Sequence, residues 1–262
     1  KKCAQEIIKG TVTKMSVVAV MLENILSEME RIGQKAHPVF STMLAGGGPV
    51  PIGYLERAEK LNLRVAQTYG MTETASQTAT LANEDAMTHI GSAGKPLFFN
   101  DIKIDAKDGE SIGEILIRGP HVTPKYIGQF KHKPTTIDGW LHTGDVGYLD
   151  EEGYLYVVDR RSDLIISGGE NIYPAEIENV LLAHPNIKEA GVCGMEHDRW
   201  GQVPVAFVVL KEKISEQKII EFCELNLANY KVPKQVHFVT QLPRSGSNKL
   251  LRRNLLLLLD DL

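Results

Sequence analysis

Val18, Leu22, Ile25, Met29 and Ile32 recur at alternating spacings of four and three, the period of one apolar helix face. This pattern predicts a helix that starts near Val18 and runs to Ile32, with Ser16 as its N-cap and Gly33 as its stop. The apolar triplet Met43-Leu44-Ala45 then runs into a Gly46-Gly47-Gly48-Pro49 turn. A second helix is expected over Tyr54–Leu61 and a short strand over Leu63–Ala66. Helix, strand, helix, strand in this order reads as a slice of an α/β sheet.

The texture changes near residue 90. Asp101-Ile102-Lys103-Ile104 and Glu114-Ile115-Leu116-Ile117-Arg118 are short strand-like runs, separated by turn signals at Lys107-Asp108-Gly109 and Arg118-Gly119-Pro120. The stretch Tyr148–Tyr156 reads as a hairpin with an acidic turn closed by Gly153. From Arg160 onward an α/β pattern returns. Pro174 opens a helix that runs through Leu181 and ends before Pro185. Val203–Leu210 reads as a strand, and a helix is expected from about Ser215 to Ala228 with Ile220, Cys223 and Leu227 on one face. His237-Phe238-Val239 suits a short strand, and the leucine-rich tail 254–260 suits a terminal helix packed on the body. The expected fold class is therefore mixed α/β (α+β) in three parts: a partial α/β sheet over 1–86, a small β-barrel-like subdomain over 87–160, and a separate α/β domain over 161–262.

Composition narrows the function classes. The 262 residues are 43% hydrophobic and 24% charged, with a net charge of −4. That balance gives no basic stripe, so no nucleic-acid partner is expected. The cysteines, Cys3, Cys193 and Cys223, are odd in number and lack C-x-x-C spacing, which points to a reducing compartment, hence cytoplasmic. No apolar run reaches the roughly 20 residues that span a bilayer, so no stable membrane insertion is expected. The first residues contain no signal-peptide pattern and no initiating Met, which suggests a chain that starts mid-protein.

Four segments carry candidate chemistry. In Thr68-Tyr69-Gly70-Met71-Thr72-Glu73-Thr74, Gly70 would let backbone approach a ring or phosphate, Thr72 offers a hydroxyl, and Glu73 offers a hard oxygen suited to Mg²⁺. The bland alternative is a strand-to-loop turn with solvated side chains. In Gly139-Trp140-Leu141-His142-Thr143-Gly144-Asp145, Asp145 is either a turn former or a carboxylate able to accept both hydrogen bonds of a ribose diol. In Asp159–Pro174, Arg160 is a nucleotide donor, Ser162 lies near a hinge, and Gly168-Gly169 would pass close to a ligand; the alternative is a linker followed by a strand and loop. Leu242-Pro243-Arg244-Ser245-Gly246-Ser247-Asn248-Lys249-Leu250 is small and polar, and Lys249 is either solvated or a mobile ammonium delivered to a phosphate. The segment does not fit a Walker A loop.

Together these four segments, in this order, resemble the adenylate-forming superfamily of acyl-CoA synthetases, luciferases and nonribosomal peptide synthetase adenylation domains. Longer strings, Gln67–Gln77, Gly91–Phe98 and Asp159–Pro174, are similar to the o-succinylbenzoate–CoA ligase branch of that superfamily. The resemblance implies an ATP-dependent ligase that converts a small-molecule carboxylic acid to an acyl-adenylate and then, with coenzyme A, to a thioester, in menaquinone biosynthesis. It implies catalytic roles for Lys249, Thr72 and Glu73, with Glu73 as the Mg²⁺ ligand. Tyr69 would lie against adenine, with Gly70 beside it, and Gly46, Gly47 and Gly48 would line the floor between adenine and acyl pocket. Asp145 and Arg160 would hold the ribose, Gly168 and Gly169 would make room for pantetheine, and Ser76 and Gln77 would touch the acyl group. Residues 1–86 would be the remainder of a large N-terminal domain, and 161–262 a mobile C-terminal domain swinging about Ser162. Relatives in the superfamily are often homodimers.

The chain departs from the family pattern in three ways. The phosphate-gripping Ser/Thr/Gly-rich loop is absent, so the isolated chain is expected to need a missing N-terminal portion of the same protein for catalysis. Asn248 stands where the family has glycine before the lysine, and Asn tolerates the left-handed conformation. Ser162 replaces a charged hinge residue. The alternatives are a ligase for another aryl or fatty acid, an adenylation domain serving a carrier protein, and a non-catalytic nucleotide-binding fragment.

Overall fold

The apolar spacing from Val18 to Ile32 becomes helix α2 below, but Ser16 is not its cap. In the computed structural model, which describes residues 1–48, 50–126, 135–246 and 248–261, Ser16 lies inside a strand and the extended Val18 is the N-cap. The strand's ladder with Leu44 takes up the backbone at Ser16, so tertiary pairing overrides the local capping preference. Pro49, residues 127–134 and Ser247 fall outside the described residues, and with them part of the expected glycine turn, β subdomain and lysine segment.

The contacts divide the chain into two compact units, Lys1–Val157 and Val158–Leu262. The first unit opens with α1 (Lys2–Lys9), β1 (Lys14–Val17) and α2 (Ala19–Ile32). Gly33, at φ 73°, ends α2 as expected and donates its N–H to the Met29 and Glu30 carbonyls. Strands β2 (Thr42–Ala45) and, after α3 (Ile52–Lys60), β3 (Val65–Gly70) pair in parallel with β1 in the order β1-β2-β3. Strands β4 (Gln77–Thr80) and β5 (Lys95–Pro96) complete this sheet in antiparallel fashion. Ile7, Leu22, Leu26, Met29 and Met43 are fully buried between helices and sheet. Strand β3 runs past the expected Ala66 because Gln67 is a buried polar residue that the sheet accommodates, its amide donating to the Ser92 carbonyl at 3.1 Å.

A second sheet of the first unit is antiparallel, built from β6 (Asp101–Asp105), β7 (Gly113–Arg118), β8 (Thr136–Ile137), β9 (Trp140–Leu149) and β10 (Leu155–Arg160), whose last residues pass into the second unit. Its order, β10-β9-β7-β6 with β8 on β9, gives the expected barrel-like subdomain as an open half-barrel. The expected β9–β10 hairpin is present. Asp150 Oδ1 accepts the Glu152 and Tyr154 N–H groups, and Gly153 takes φ 81°.

The second unit contains a mixed sheet of β11 (Ile165–Ser167), β12 (Glu170–Ile172), β13 (Ile187–His197), β14 (Gly201–Leu210) and β15 (Gln235–Phe238). Helices α4 (Pro174–Ala183) and α5 (Glu216–Asn226) cover it, with Ile177, Leu181, Ile219 and Cys223 buried. Of the expected α5 face, Cys223 is buried and Ile220 and Leu227, the latter the C-cap, pack half-buried against the same core, joined by the buried Ile219. The leucine-rich tail packs on the body through Leu255, but as 3-10 turns rather than an α-helix.

Candidate functional site

Strands β1, β2 and β3 are parallel, so their carboxyl ends share one edge of the sheet, the edge at which α/β sheets bind ligands. Gly46–Gly48 follows β2, and Met71–Thr74 follows β3. Gly46 donates to the Val17 carbonyl at 3.1 Å, and a Cβ there would come 2.7 Å from the Thr68 Cγ2. Gly47 has φ 82°, and no atom lies within 4 Å of where a Cβ of Gly48 would be. Both glycines are exposed, so the loop presents open backbone.

Gly70 has a different reason from the one its sequence neighbours suggest. A Cβ at Gly70 would stand 1.8 Å from the Ser76 carbonyl oxygen, so the chain itself fills the space that a ligand was expected to use. The intervening 3-10 turn, Thr72–Thr74, is pinned by Thr74, whose Oγ1 accepts the Met71 N–H at 2.9 Å. Ala75 sits at φ 58°, a left-handed conformation costly for a residue with a Cβ and common at functional sites. This tight return leaves Thr72 and Ser76 exposed and Gln77 half-buried.

Glu73 is half-buried in the same turn. Its carbonyl accepts the Thr123 N–H at 2.8 Å, and its Oε1 accepts the Tyr126 hydroxyl at 2.5 Å, which, with some burial, raises the Tyr126 pKa. Among the described residues no three acidic, histidine or cysteine side chains cluster as a metal cage. A lone carboxylate nevertheless fits Mg²⁺, which typically takes one or two carboxylates and fills its shell with phosphate oxygens and water.

Asp145 reaches the core through an irregularity in β9. The β7–β9 register passes from Glu114↔Val146 to Leu116↔His142, so Thr143, Gly144 and Asp145 stand opposite Ile115 alone. Such a bulge re-aims side chains. Thr143 Oγ1 donates to the Ile115 carbonyl at 2.7 Å and accepts the Asp145 N–H at 3.0 Å, while Glu114 Oε1 accepts the Gly144 N–H at 3.0 Å. The buried Asp145 then accepts the Tyr69 hydroxyl on Oδ2 at 2.8 Å. The Tyr69 ring itself is only 9% exposed, packed with Ile115, Leu141 and Leu155. Its visible task is to orient Asp145.

The second unit holds the other candidates. Gly168 and Gly169, at φ 61° and 91°, form the exposed two-residue turn of the β11–β12 hairpin. A Cβ on Gly168 would meet the Trp200 ring at 2.9 Å, so glycine is needed there with or without a ligand. Arg160 and Ser162 are exposed, and Ser162 Oγ donates to Asp163 Oδ1 at 3.1 Å. Lys249 is exposed on a hydrogen-bonded turn in which its carbonyl accepts the Ser245 N–H at 2.8 Å and its own N–H donates to Ser245 Oγ at 3.1 Å. Asn248 takes φ 64°, as a glycine would.

Sequence reasoning passed over the charged cluster beneath these residues. Arg252 donates to Glu178 through Nε at 2.8 Å and Nη2 at 2.7 Å, and through Nη1 to Asp159 at 2.8 Å and Asp163 at 3.0 Å. Burial pushes the Asp159 carboxyl above the usual range, against the pull of Arg252. The available signal was an arginine three positions after the lysine, in a tail read only for its leucines.

Two family models match the chain: the AMP-binding enzyme over residues 1–127 and the AMP-binding enzyme C-terminal domain over 176–249. A 2-succinylbenzoate–CoA ligase from Bacillus cereus is 54% identical over 258 residues, covering 96% of this chain and 53% of the relative. The o-succinylbenzoate–CoA synthetase from Bacillus subtilis, solved with the acyl-adenylate intermediate OSB-AMP, superposes with a TM-score of 0.87 at 46% identity, covering 97% of this chain and 53% of that one. The same Bacillus subtilis enzyme solved with ATP and magnesium gives 0.84 at 45% identity over the same shares. The chain thus spans about half the length of the relatives it matches. With both family models matched and the sheet-edge loops and lysine turn in place, this chain belongs to the AMP-binding, adenylate-forming enzyme family.

Proposed function

We propose that this chain serves an ATP-dependent acid–thiol ligase that converts o-succinylbenzoate to o-succinylbenzoyl-CoA in menaquinone biosynthesis. The observation that carries the substrate is the 54% identity over 258 residues to a 2-succinylbenzoate–CoA ligase. The site geometry supplies the chemistry. In the first half-reaction a substrate carboxylate oxygen bonds to the α-phosphorus of ATP, and pyrophosphate leaves. In the second the thiol sulfur of coenzyme A bonds to the acyl carbon, and AMP leaves.

Each residue has a task in that sequence. Asp145, held by Tyr69, accepts from the ribose hydroxyls, with Arg160 as a second ribose contact. Fixing the sugar places the α-phosphorus beside the carboxylate, the effect of orientation on a bimolecular step. Thr72 donates to the α-phosphate, and Lys249 brings a positive charge to the oxygens on which negative charge develops. Glu73 would hold Mg²⁺, which when bound neutralises phosphate charge. Gly46, Gly47 and Gly48 form the floor beside the nucleotide, Gly70 sets the turn that carries Thr72, and Ser76 and Gln77 face the acyl group. Gly168 and Gly169 make room for pantetheine once residues 161–262 have turned about Ser162.

We keep the division at residues 86 and 160 as functional modules; three separate sheets support it, although β5 carries the first sheet on to Pro96. A homodimer and a cytoplasmic setting complete the reading, the latter supported by three unpaired thiols. Completed with an amino-terminal portion bearing the phosphate loop, the protein should exchange labelled pyrophosphate into ATP only when o-succinylbenzoate is present. Exchange supported instead by another aryl or fatty acid would keep the ligase and overturn the substrate. Nucleotide binding without exchange on any acid would leave a non-catalytic module.

A further inference from the structure

Lys249 and Ser162 are separated by 87 positions of sequence, yet one guanidinium ties their segments together. Arg252 grips both oxygens of Glu178 in the forked geometry that makes arginine–carboxylate pairs strong and directional. Its third nitrogen spans Asp159 and Asp163, the two acids that bracket Ser162. These carboxylates are engaged further. Asp159 Oδ1 accepts the Arg160 N–H at 2.8 Å, and its Oδ2 accepts the Ala175 N–H at 2.8 Å in the first turn of α4. Glu178 Oε1 accepts the Val192 N–H of β13 at 2.9 Å. The side chains of Arg252, Asp159 and Glu178 are 14%, 3% and 9% exposed, so water screens the cluster weakly.

The lysine side of the tie is just as short. Leu251 donates to the Pro243 carbonyl at 2.9 Å, closing the turn that carries Lys249. A Cβ on Gly191 would lie 3.2 Å from Leu255 and 3.4 Å from Leu250, so leucines on both sides of Arg252 seat against bare β13 backbone. The backbone between Lys249 and Arg252 has little slack. A shift of Arg252 therefore moves the base from which the Lys249 ammonium reaches out.

We propose that Arg252 is a positioning residue that locks the Lys249 turn to the Asp159–Asp163 segment, so that lysine and hinge hold one fixed geometry in the first half-reaction. The catalytic purpose rests on the reading of Lys249 and Ser162 given above. The lock itself lies wholly within the second compact unit. Removing the guanidinium takes away the donor that joins Asp159, Asp163 and Glu178, and the repulsion between these carboxylates then favours parting the two segments.

Two measurements test it. In hydrogen exchange on this chain, Arg252→Gln should speed exchange at the Lys249 and Arg160 amides together while the α5 amides keep their protection. Arg252→Lys, which keeps the charge but loses the fork, should fall between, and Arg253→Gln should match the wild type. Unchanged protection at either amide, or a uniform loss that includes α5, overturns the lock. In the completed enzyme, Arg252→Gln should lower kcat for substrate-dependent pyrophosphate exchange about 10²-fold, the scale of a small misplacement of a catalytic group. Thioester formation from a presynthesised acyl-adenylate should fall far less, because Lys249 acts in the first step. Equal loss in both half-reactions would overturn the positioning role. A completed wild-type protein that performs no exchange would sink the ligase reading, and the amide protection would still decide the lock.

Discussion

Tyr69→Phe removes one hydroxyl from a buried pair and leaves the Asp145 carboxylate short of its 2.8 Å donor. Stripping a donor from a buried acceptor costs about 1–3 kcal/mol, so denaturant unfolding should report a loss of that size. The KM for ATP should rise as well, since Asp145 loses its fixed orientation. An unchanged KM would separate Tyr69 from nucleotide binding. At this scale the sequence picked out candidate residues, while the local reasons for their placement came from the fold. Asp145, Lys249 and Asn248 were visible as polar residues in short motifs. The need for Gly70 was not, because it lies in the Ser76 carbonyl, which the chain brings back only after the Ala75 turn. The bulge that turns Asp145 inward was equally hidden, for it depends on a neighbouring strand. Arg252 was missed because its three carboxylate partners lie between 74 and 93 positions away.

The turn that carries Lys249 depends on one left-handed residue, Asn248 at φ 64°. Asn248→Val places a β-branched side chain there and should destabilise the turn by about 1–2 kcal/mol, whereas Asn248→Gly should be tolerated. Pyrophosphate exchange should follow the same order, and a fully active Val variant would show that the turn's shape is not needed. Elements with strong periodicity were legible: α2, α3, α4 and the β9–β10 hairpin fall where the apolar spacing and turn residues put them. Others were not. Strand β13 was not expected and runs unbroken through Gly191 and Gly194; at Gly191 the missing side chain admits Leu250 and Leu255. Ser16 looked like a cap because only the β1–β2 pairing shows that its backbone is taken. The tail carries enough leucine for a helix, yet Leu255 is held in the core by a chain that turns in 3-10 geometry.

At the scale of the molecule, the two buried thiols report on the folding of the second unit. Burial, with a nearby carboxylate, pushes Cys193 up to about 12 and Cys223 up to about 11, from a usual value near 9, while Cys3 is exposed. At about pH 8 a thiolate-seeking reagent should therefore label one cysteine in the native protein and three after denaturation. The sign of the pH effect follows. Each folded-state pKa lies above its unfolded value, so the unfolded chain releases its protons first as pH rises. The stability these thiols contribute is full below about pH 9 and is lost through the range up to their folded values. Unfolding midpoints that stay flat across that range would contradict it. The contacts divide the chain into two compact units, whereas the changes of texture near residue 90 and at Arg160 led to an expectation of three parts. The most direct test of the functional account is thioester formation by the completed protein with ATP, coenzyme A and o-succinylbenzoate, beside benzoate and a medium-chain fatty acid, for the wild type and Lys249→Ala. The account predicts a clear preference for o-succinylbenzoate and loss of adenylation in the lysine variant; turnover of only another acid, or a fully active Lys249→Ala protein, would contradict it.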